Sequence, residues 1–309
     1  MTTTMAPPGL HKQAVPGGTA ECRCCGEPAS IVGQKPGEYA KRLLTVARCA
    51  SCGFAFVMDY LENLSEVYND DHYRGRGADP MVDYVGELEH PESIVRCHDW
   101  RGITRIVQTL RPRIDGLRWL DYGGGNGGLV RYVRDNSQAD IIGFEEGWIA
   151  DRSREAGIPI VGASRLPELR GTCDIVSAIE VIEHVVDPHA FFRTVRSLLK
   201  PGGLFFCTTG NAAPVRDLLN WSYVIPEIHV SFFEPRTLSR VLQQHGFRSE
   251  NRGFLAGYDD VIRFKVLKNL GFRRVSLYER MIPWHFLARL VDRRFQVSAL
   301  PIGVALQGV

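Results

Sequence analysis

Nowhere does the chain hold apolar residues together for the roughly 20 positions that a membrane span needs. The opening 20 residues, rich in Thr, Pro and Gly, also lack the apolar block of a secretory signal. Export and membrane insertion are set aside on these grounds, and the expected location is the cytoplasm. Charge of one sign is lacking as well: 37 Lys and Arg against 35 Asp and Glu leave a net +2 at pH 7. No overall field therefore draws the chain to nucleic acid. An oxidising environment is absent too, which turns the eight cysteines away from disulfides and toward metal binding or packing.

What is present is unevenly spread. Residues 59–92 carry ten acids against two bases, and residues 261–294 carry nine bases against two acids. Such runs are either the solvated faces of helices or the flanks of one site. Residues 1–18 show no periodicity and are expected to be a disordered tail. At 309 residues and 44% hydrophobic, the remainder is long enough to bury a core without covalent help.

Two cysteine pairs come first. Cys22-x-x-Cys25 and Cys49-x-x-Cys52 are each followed by glycine, with 23 residues between the pairs. Two thiolates three positions apart grip one metal from a tight turn, and two such knuckles complete a closed tetrahedral zinc site. Cys24 offers another register, but Cys22 with Cys25 mirrors the second pair. The expectation is a small zinc ribbon over residues 19–58 whose metal is structural, because four thiolates leave no open position. Residues 59–115 read as a helical lid or linker.

From residue 117 the pattern changes to alternating strand and helix. "LRWLDYG", "ADIIGFEE", "IPIVG", "CDIVSAI" and "LFFCTT" read as strands, with "FRSENRGFL" and "VSALPIGVALQGV" as two more. Repeated strand–helix units predict an α/β fold: a Rossmann-like, doubly wound, mostly parallel seven-stranded sheet over residues 116–309. The basic segment 258–296 then becomes a helical insertion placed as a cap over the site.

The turn after the first of these strands reads "DYGGGNGG". Gly123, Gly125 and Gly128 satisfy the spacing of a dinucleotide-binding loop, yet that spacing alone does not choose the ligand. Charge does. A pyrophosphate on the helix N-terminus is repelled by a carboxylate at the strand end, where Asp121 stands. S-adenosylmethionine, with an ammonium and a sulfonium, is favoured there. Glu145, at the end of the second strand, is placed to accept hydrogen bonds from ribose hydroxyls, with Glu146 as its alternative.

"LDYGGGNGGL", "IIGFEE", "CDIVSAIEVIEHVVDPHAFFRTVRSLLKPGGLFFCTTGN" and "HVSFFEPRTLSRVLQQHGF" together resemble the class I S-adenosylmethionine-dependent methyltransferases, especially the ubiquinone-pathway O-methyltransferases. The resemblance spans residues 117 to about 250. It implies that Gly123, Gly125 and Gly127, with Asn126 among them, line the methionine end of the cofactor and that Glu145 holds the ribose. Ala163 and Ser164 would lie by the adenine, with Ile179 and Glu180 closing the pocket. The family often has an acid where Ser164 stands. A zinc ribbon ahead of such a domain also resembles sugar and natural-product methyltransferases, and an rRNA guanine methyltransferase family. In the first of these groups a segment like "LSEVYNDDHYRGR" covers the cofactor, which implies contacts from Tyr68 and Tyr73. The sugar C-methyltransferases carry a further C-terminal domain for which this chain has no room.

Methyl transfer from a sulfonium is an in-line displacement in which the protein aligns the nucleophile, excludes water and, for a hydroxyl, removes a proton. Histidine suits the last task. His184 in "IEHV" and His229 in "PEIHVSFF" are the candidate bases; the alternative for each is a structural imidazole bonded to a loop carbonyl. Tyr278, Trp284 and Phe286 stand among the arginines of the cap. This points to a small-molecule acceptor with an anionic group, such as a nucleotide-linked sugar or a carrier-bound intermediate, or else to a membrane surface. The leading expectation is O-methylation of such a molecule. The alternatives are RNA methylation through the ribbon and C- or N-methylation of a nucleotide-linked sugar. Residues 19–58 hold five cations but no aromatic array for stacking bases, and a nicotinamide-dependent oxidoreductase is opposed by Asp121. No residue pattern specifies an oligomer.

Overall fold

The computed structural model describes residues 18–37, 41–62, 67–68, 73–74, 83–250, 254–295 and 302–307. All but the last residue of the expected tail lies outside them. An antiparallel sheet comes first: β1 (Thr19–Glu21), β2 (Pro28–Pro36), β3 (Leu43–Cys49) and β4 (Ala55–Val57) pair in sequence order. The free edge of β4 is taken by a strand from far downstream, Ser231–Phe232, which is β10 in chain order. Alternation explains the apolar run in β3 and β4. Leu44, Val46, Ala55 and Val57 face a core built with Leu218, Val224 and Val230. Ala47, Cys49, Phe54 and Phe56 face the opposite core, shared with the large sheet's helices. Strands covered on both faces become continuously apolar.

Two helices, α1 (Tyr84–Glu89) and α2 (Arg96–Leu110), lead into the α/β part. Its strands are β5 (Arg118–Tyr122), β6 (Asp140–Phe144), β7 (Ile160–Val161), β8 (Cys173–Ile179) and β9 (Leu199–Thr208). They pair in parallel in the order β7-β6-β5-β8-β9. The helices between them are α3 (Gly128–Asn136), α4 (Trp148–Glu155) and α5 (Pro188–Leu198). α5 starts where Asp187 accepts a hydrogen bond from the Ala190 amide at 2.9 Å with Pro188 in the first turn. Successive sheet residues again divide between faces: Leu120, Val176, Ala178 and Phe205 join one core, and Trp119, Ile141, Ile175, Leu204 and Phe206 the other. Strand order reverses between β5 and β8, so a crevice opens beyond their carboxyl ends.

After α6 (Pro235–Gln244) and β11 (Phe247–Glu250) come the cap helices α7 (Tyr258–Asn269) and α8 (Trp284–Phe295), then β12 (Ile302–Gln307). α7 packs on α2 and on α8. Among the described residues the parallel ladder holds five of the expected seven strands, while β11 and β12 form a separate antiparallel pair whose register shifts between Arg248 and Glu250. β12 runs beside β9 without joining the ladder. Apolar runs announce strands, but a bulge and a change of partner depend on register, which no local pattern carries.

Candidate functional site

β5 ends at Asp121-Tyr122 and the chain turns through Gly123, Gly125 and Gly127 at φ 76°, 54° and 71°, the left-handed region where a side chain is strained. The amides of Gly123 and Gly124 donate to the Phe144 carbonyl at 2.9 and 3.0 Å, tying the loop to the end of β6. A Cβ on Gly125 would press on the Tyr84 ring at 3.2 Å, and one on Gly127 would run into Ile158 at 2.7 Å. Asn126 is buried. Its Oδ1 accepts from the Gly128 amide and its Nδ2 donates to Glu87 at 2.7 Å, so it clamps the loop to α1.

Asp121 sits beneath this loop, 3% exposed. Trp119 Nε1 donates to Ser177 Oγ at 2.8 Å, which in turn donates to Asp121 Oδ1 at 2.6 Å. Burial raises the carboxyl to about 7 despite that hydrogen bond. Glu145 lies alongside: Oε2 accepts from the Gly125 amide and Oε1 from the Glu146 amide, each at 2.9 Å, and burial raises this carboxyl too. Glu146 Oε1 accepts from the amide of Ala163 at 3.1 Å, joining the end of β6 to the start of the 3₁₀ helix Ala163–Leu169, where Ala163 and Ser164 are exposed. The sequence thus converges on one strip, from Asp121 through Glu145 to Ala163. An aromatic wall stands over it: Tyr73 stacks on Tyr84, Trp148 and Tyr68, with ring centroids 5.9, 5.5 and 6.5 Å apart.

Beyond β8 lies a second group. Ile179, half-buried at the strand's last position, packs on the core around Trp100 and Leu204. Glu180 follows at φ 53°, a left-handed backbone for a residue with a side chain. Its amide donates to Thr208, and its carboxylate accepts from Lys265 Nζ of α7 at 3.1 Å. Burial opposes the charge on Glu180, but the Lys265 ammonium prevails and holds the carboxyl at about 2. The 3₁₀ turn Ile182–His184 then brings in Glu183, 0% exposed, whose Oε1 accepts from the Tyr223 hydroxyl at 2.6 Å. Among the described residues Glu183 Oε2 has no hydrogen-bond partner.

Two imidazoles face this acid. The Val230 amide donates to the Glu183 carbonyl and Ser231 Oγ to that of Val185, strapping the segment before β10 onto the turn. His184 and His229 therefore meet at 4.8 Å between ring centroids. His184 Nδ1 lies 2.8 Å from the Ile228 carbonyl, and His229 Nδ1 2.6 Å from that of Tyr223. Carbonyls only accept, so each Nδ1 carries the proton and each Nε2 presents its lone pair. Tyr68 Oη shares the His184 donor at 3.1 Å. Burial, then the neighbouring His229, lower His184 to about 4, which keeps it neutral at physiological pH. Glu183, His184 and His229 offer three ligand atoms all within 4.8 Å of one another. A neutral histidine whose second nitrogen is held by a carbonyl, beside a carboxyl group with an uncommitted oxygen, offers donors that could hold a divalent cation.

A family model described as a methyltransferase domain matches residues 96–251, from the start of α2 to the end of β11, half of the chain. The chain belongs to the class I methyltransferases. It is 33% identical over 126 residues to the ubiquinone biosynthesis O-methyltransferase of Rhizobium rhizogenes, covering 38% of this chain and 50% of the relative. With the enzyme of the same name from Ruegeria pomeroyi it shares 37% over 119 residues, or 36% and 47% of the two chains. This methyltransferase thus spans about half the length of the curated relatives it matches. A solved S-adenosylmethionine-dependent methyltransferase from Mesorhizobium loti is 21% identical, covering 50% of this chain and 84% of that one at a TM-score of 0.41.

The two groups beyond β5 and β8 include residues that the sequence did not single out. Glu183 stands inside the quoted "EVIEHV", beside a named histidine, so its spacing from Glu180 and His184 was a usable signal. Tyr84 and Trp148 extend the expected tyrosine cover, but nothing local marks them. Tyr223 and Lys265 reach the site from loops and helices far along the chain. Of the cap residues first considered, Trp284 is turned inward, donating to the Glu279 carbonyl at 2.7 Å, while Tyr278 and Phe286 face outward.

The four cysteines of the knuckles converge as well. Cys22 Sγ lies 3.6 Å from Cys52 Sγ, and Cys25 Sγ 3.6 Å from Cys49 Sγ, with all four within 4.8 Å of one another. Tetrahedral zinc with bonds of about 2.3 Å sets its sulfurs about 3.8 Å apart, so this group fits one ion. The knuckles share a backbone: Gly26 and Gly53 donate to the carbonyls of Cys22 and Cys49, each at 2.9 Å. Cys24 is buried outside the group.

Proposed function

We propose that the protein methylates a hydroxyl of a small-molecule acceptor, using S-adenosylmethionine, at the crevice between the glycine loop and the Glu183–His184–His229 group. The observation carrying this reading is the convergence of one buried carboxyl group with an uncommitted oxygen and two imidazoles beside the cofactor loop. When bound, the cofactor supplies an electrophilic methyl on a cationic sulfur. Asp121 favours that positive charge, and Gly123, Gly125 and Gly127 let the ligand approach bare backbone. Glu145 accepts from the ribose hydroxyls, with Glu146 and the first residues after β7, Ala163 and Ser164, bordering the base. Ile179 and Glu180 form the floor, and Tyr68 and Tyr73 the cover.

On the acceptor side, Glu183, His184 and His229 would hold a divalent cation, which would supply Lewis acidity that lowers the pKa of an acceptor hydroxyl. A second reading rests on the same nitrogens: His184 or His229 takes the proton directly as general base. Lys265 and Lys268 of α7, whose charges both act on Glu180, make this side favourable to an anionic group on the acceptor. Zinc at Cys22, Cys25, Cys49 and Cys52 is structural.

Calorimetry with S-adenosylmethionine and with NAD tests the cofactor half. Micromolar binding of the first and none of the second is expected; the reverse ends the proposal. Labelled methyl transfer to a panel of hydroxylated acids, before and after treatment with EDTA and refilling with magnesium or manganese, separates the two acceptor-side readings. Loss and recovery of turnover supports the cation; unchanged turnover leaves the general base.

A further inference from the structure

Single apolar side chains on a surface are ordinary, but here they are gathered. Among the described residues, eight of the eleven large hydrophobic side chains that are exposed fall in residues 270–290. Tyr278 is 82% exposed, Met281 83% and Phe286 71%, with Leu277 and Leu290 beside them. The helical period explains the arrangement. α8 turns Trp284 and Ala288 inward, so Phe286 and Leu290, about half a turn from each, face out. Arg280, Arg289, Arg293 and Arg294 are exposed around them.

The face is held firmly. Trp284 is pinned by its hydrogen bond to Glu279 and by Arg263, whose guanidinium lies 5.3 Å from its ring centroid. The acids of this segment are withdrawn from it: Glu279 is buried against His98 and Arg263, and Asp292 is half-buried. What meets solvent is therefore apolar and cationic together. A second copy of the same face would bring arginines against arginines, which disfavours self-association. A peptide or protein groove offers no reason for apolar tips interspersed with solvent-exposed cations.

We propose that this face of the cap docks on an anionic phospholipid bilayer, with Tyr278, Met281, Phe286 and Leu290 entering the headgroup–acyl boundary and the arginines pairing with lipid phosphates. Such a segment lies in the interface without crossing it, and no described helix is long and apolar enough to cross a membrane. The proposal goes beyond the methyl-transfer reading and stands or falls apart from it, because vesicle binding requires no turnover.

The full chain, sedimented with vesicles of phosphatidylcholine alone or containing phosphatidylglycerol, tests it. Binding to the anionic vesicles at least about tenfold stronger than to the neutral ones is expected, weakening with salt. The variant Met281→Glu/Phe286→Glu/Leu290→Glu should lose that binding by a similar factor while its circular dichroism and cofactor affinity stay unchanged. Should those changes disturb folding, Arg280→Gln/Arg289→Gln/Arg293→Gln/Arg294→Gln addresses the same face through charge alone and should also weaken binding. The proposal is overturned if the wild-type chain stays in the supernatant, if both variants bind as it does, or if light scattering shows the face to be a dimer contact that the glutamates dissociate.

Discussion

Asp121 combines two opposed demands in one carboxyl. The fold buries it and raises it to about 7, above the ordinary value of 3.8, so the folded chain prefers the neutral acid. Its contribution to stability is full below about pH 4 and is lost as pH rises through about 7. A cationic cofactor prefers the ionised form. Asp121→Asn should therefore raise the melting temperature at pH 8 while weakening S-adenosylmethionine binding by about tenfold or more, read by calorimetry on the same sample. For the wild-type chain, affinity should improve as pH climbs through about 7, with proton release below that point visible as a dependence of binding heat on buffer. At the other group, Glu183→Gln should lower kcat by about 10²-fold or more with little change in cofactor affinity; a variant that keeps wild-type turnover removes Glu183 from the chemistry. Asp121, Glu145 and the glycines were legible in the sequence because their positions at strand ends follow from a local pattern. Glu183 was half-legible, beside a histidine in a quoted motif. Tyr223 was not, since a phenol forty residues from its carboxylate partner leaves no local trace.

Elements show the same division. Strand and helix periods placed the parallel strands, the Asp187-Pro188 helix start and the cap helices, while the ladder stopped at five strands where register rather than hydrophobicity decides. The cap's relation to the site was likewise out of reach of periodicity. α7 is anchored to the end of β8 by Lys265 and Glu180, across the strained backbone at φ 53°. Lys265→Met should destabilise the fold by about 1–2 kcal/mol, since both side chains keep partial solvent contact. It should also change the acid limb. Glu180 at about 2 lies below its ordinary 4.5, so its stabilisation is present above about pH 4.5 and lost as pH falls toward 2. Without Lys265 the carboxyl is no longer held below its ordinary value, so that acid-side loss should shrink or disappear, as urea midpoints between pH 3 and 6 would reveal. A variant with an unshifted acid limb would mean that α7 is held by apolar packing alone.

At the scale of the whole molecule, the ribbon and the α/β part share structure. β4 completes its pairing with β10, Arg48 bonds Glu234, and Thr237 Oγ1 donates to the Cys52 carbonyl at 2.5 Å. His189 of α5 joins the Cys24 carbonyl at 3.1 Å. Cys22→Ser/Cys52→Ser should then lower the melting temperature of the entire protein, by at least about 5 °C, in a single transition. Two separate transitions, with the later one unmoved, would mean that the ribbon is an independent module. The sequence announces the knuckles plainly, yet nothing in it tells that their sheet borrows its last strand from beyond the parallel strands.

That borrowed strand bears on how the chain is made. Residues 19–57 leave the ribosome with one sheet margin bare, and the two residues that close it are translated only after nearly all of the nucleotide-fold strands. During that interval the exposed margin is open to pairing with another nascent chain. Early metal capture at the knuckles would hold the hairpins until their seal arrives. Yield of correctly assembled protein should accordingly depend on zinc supply during synthesis more than on zinc added afterwards.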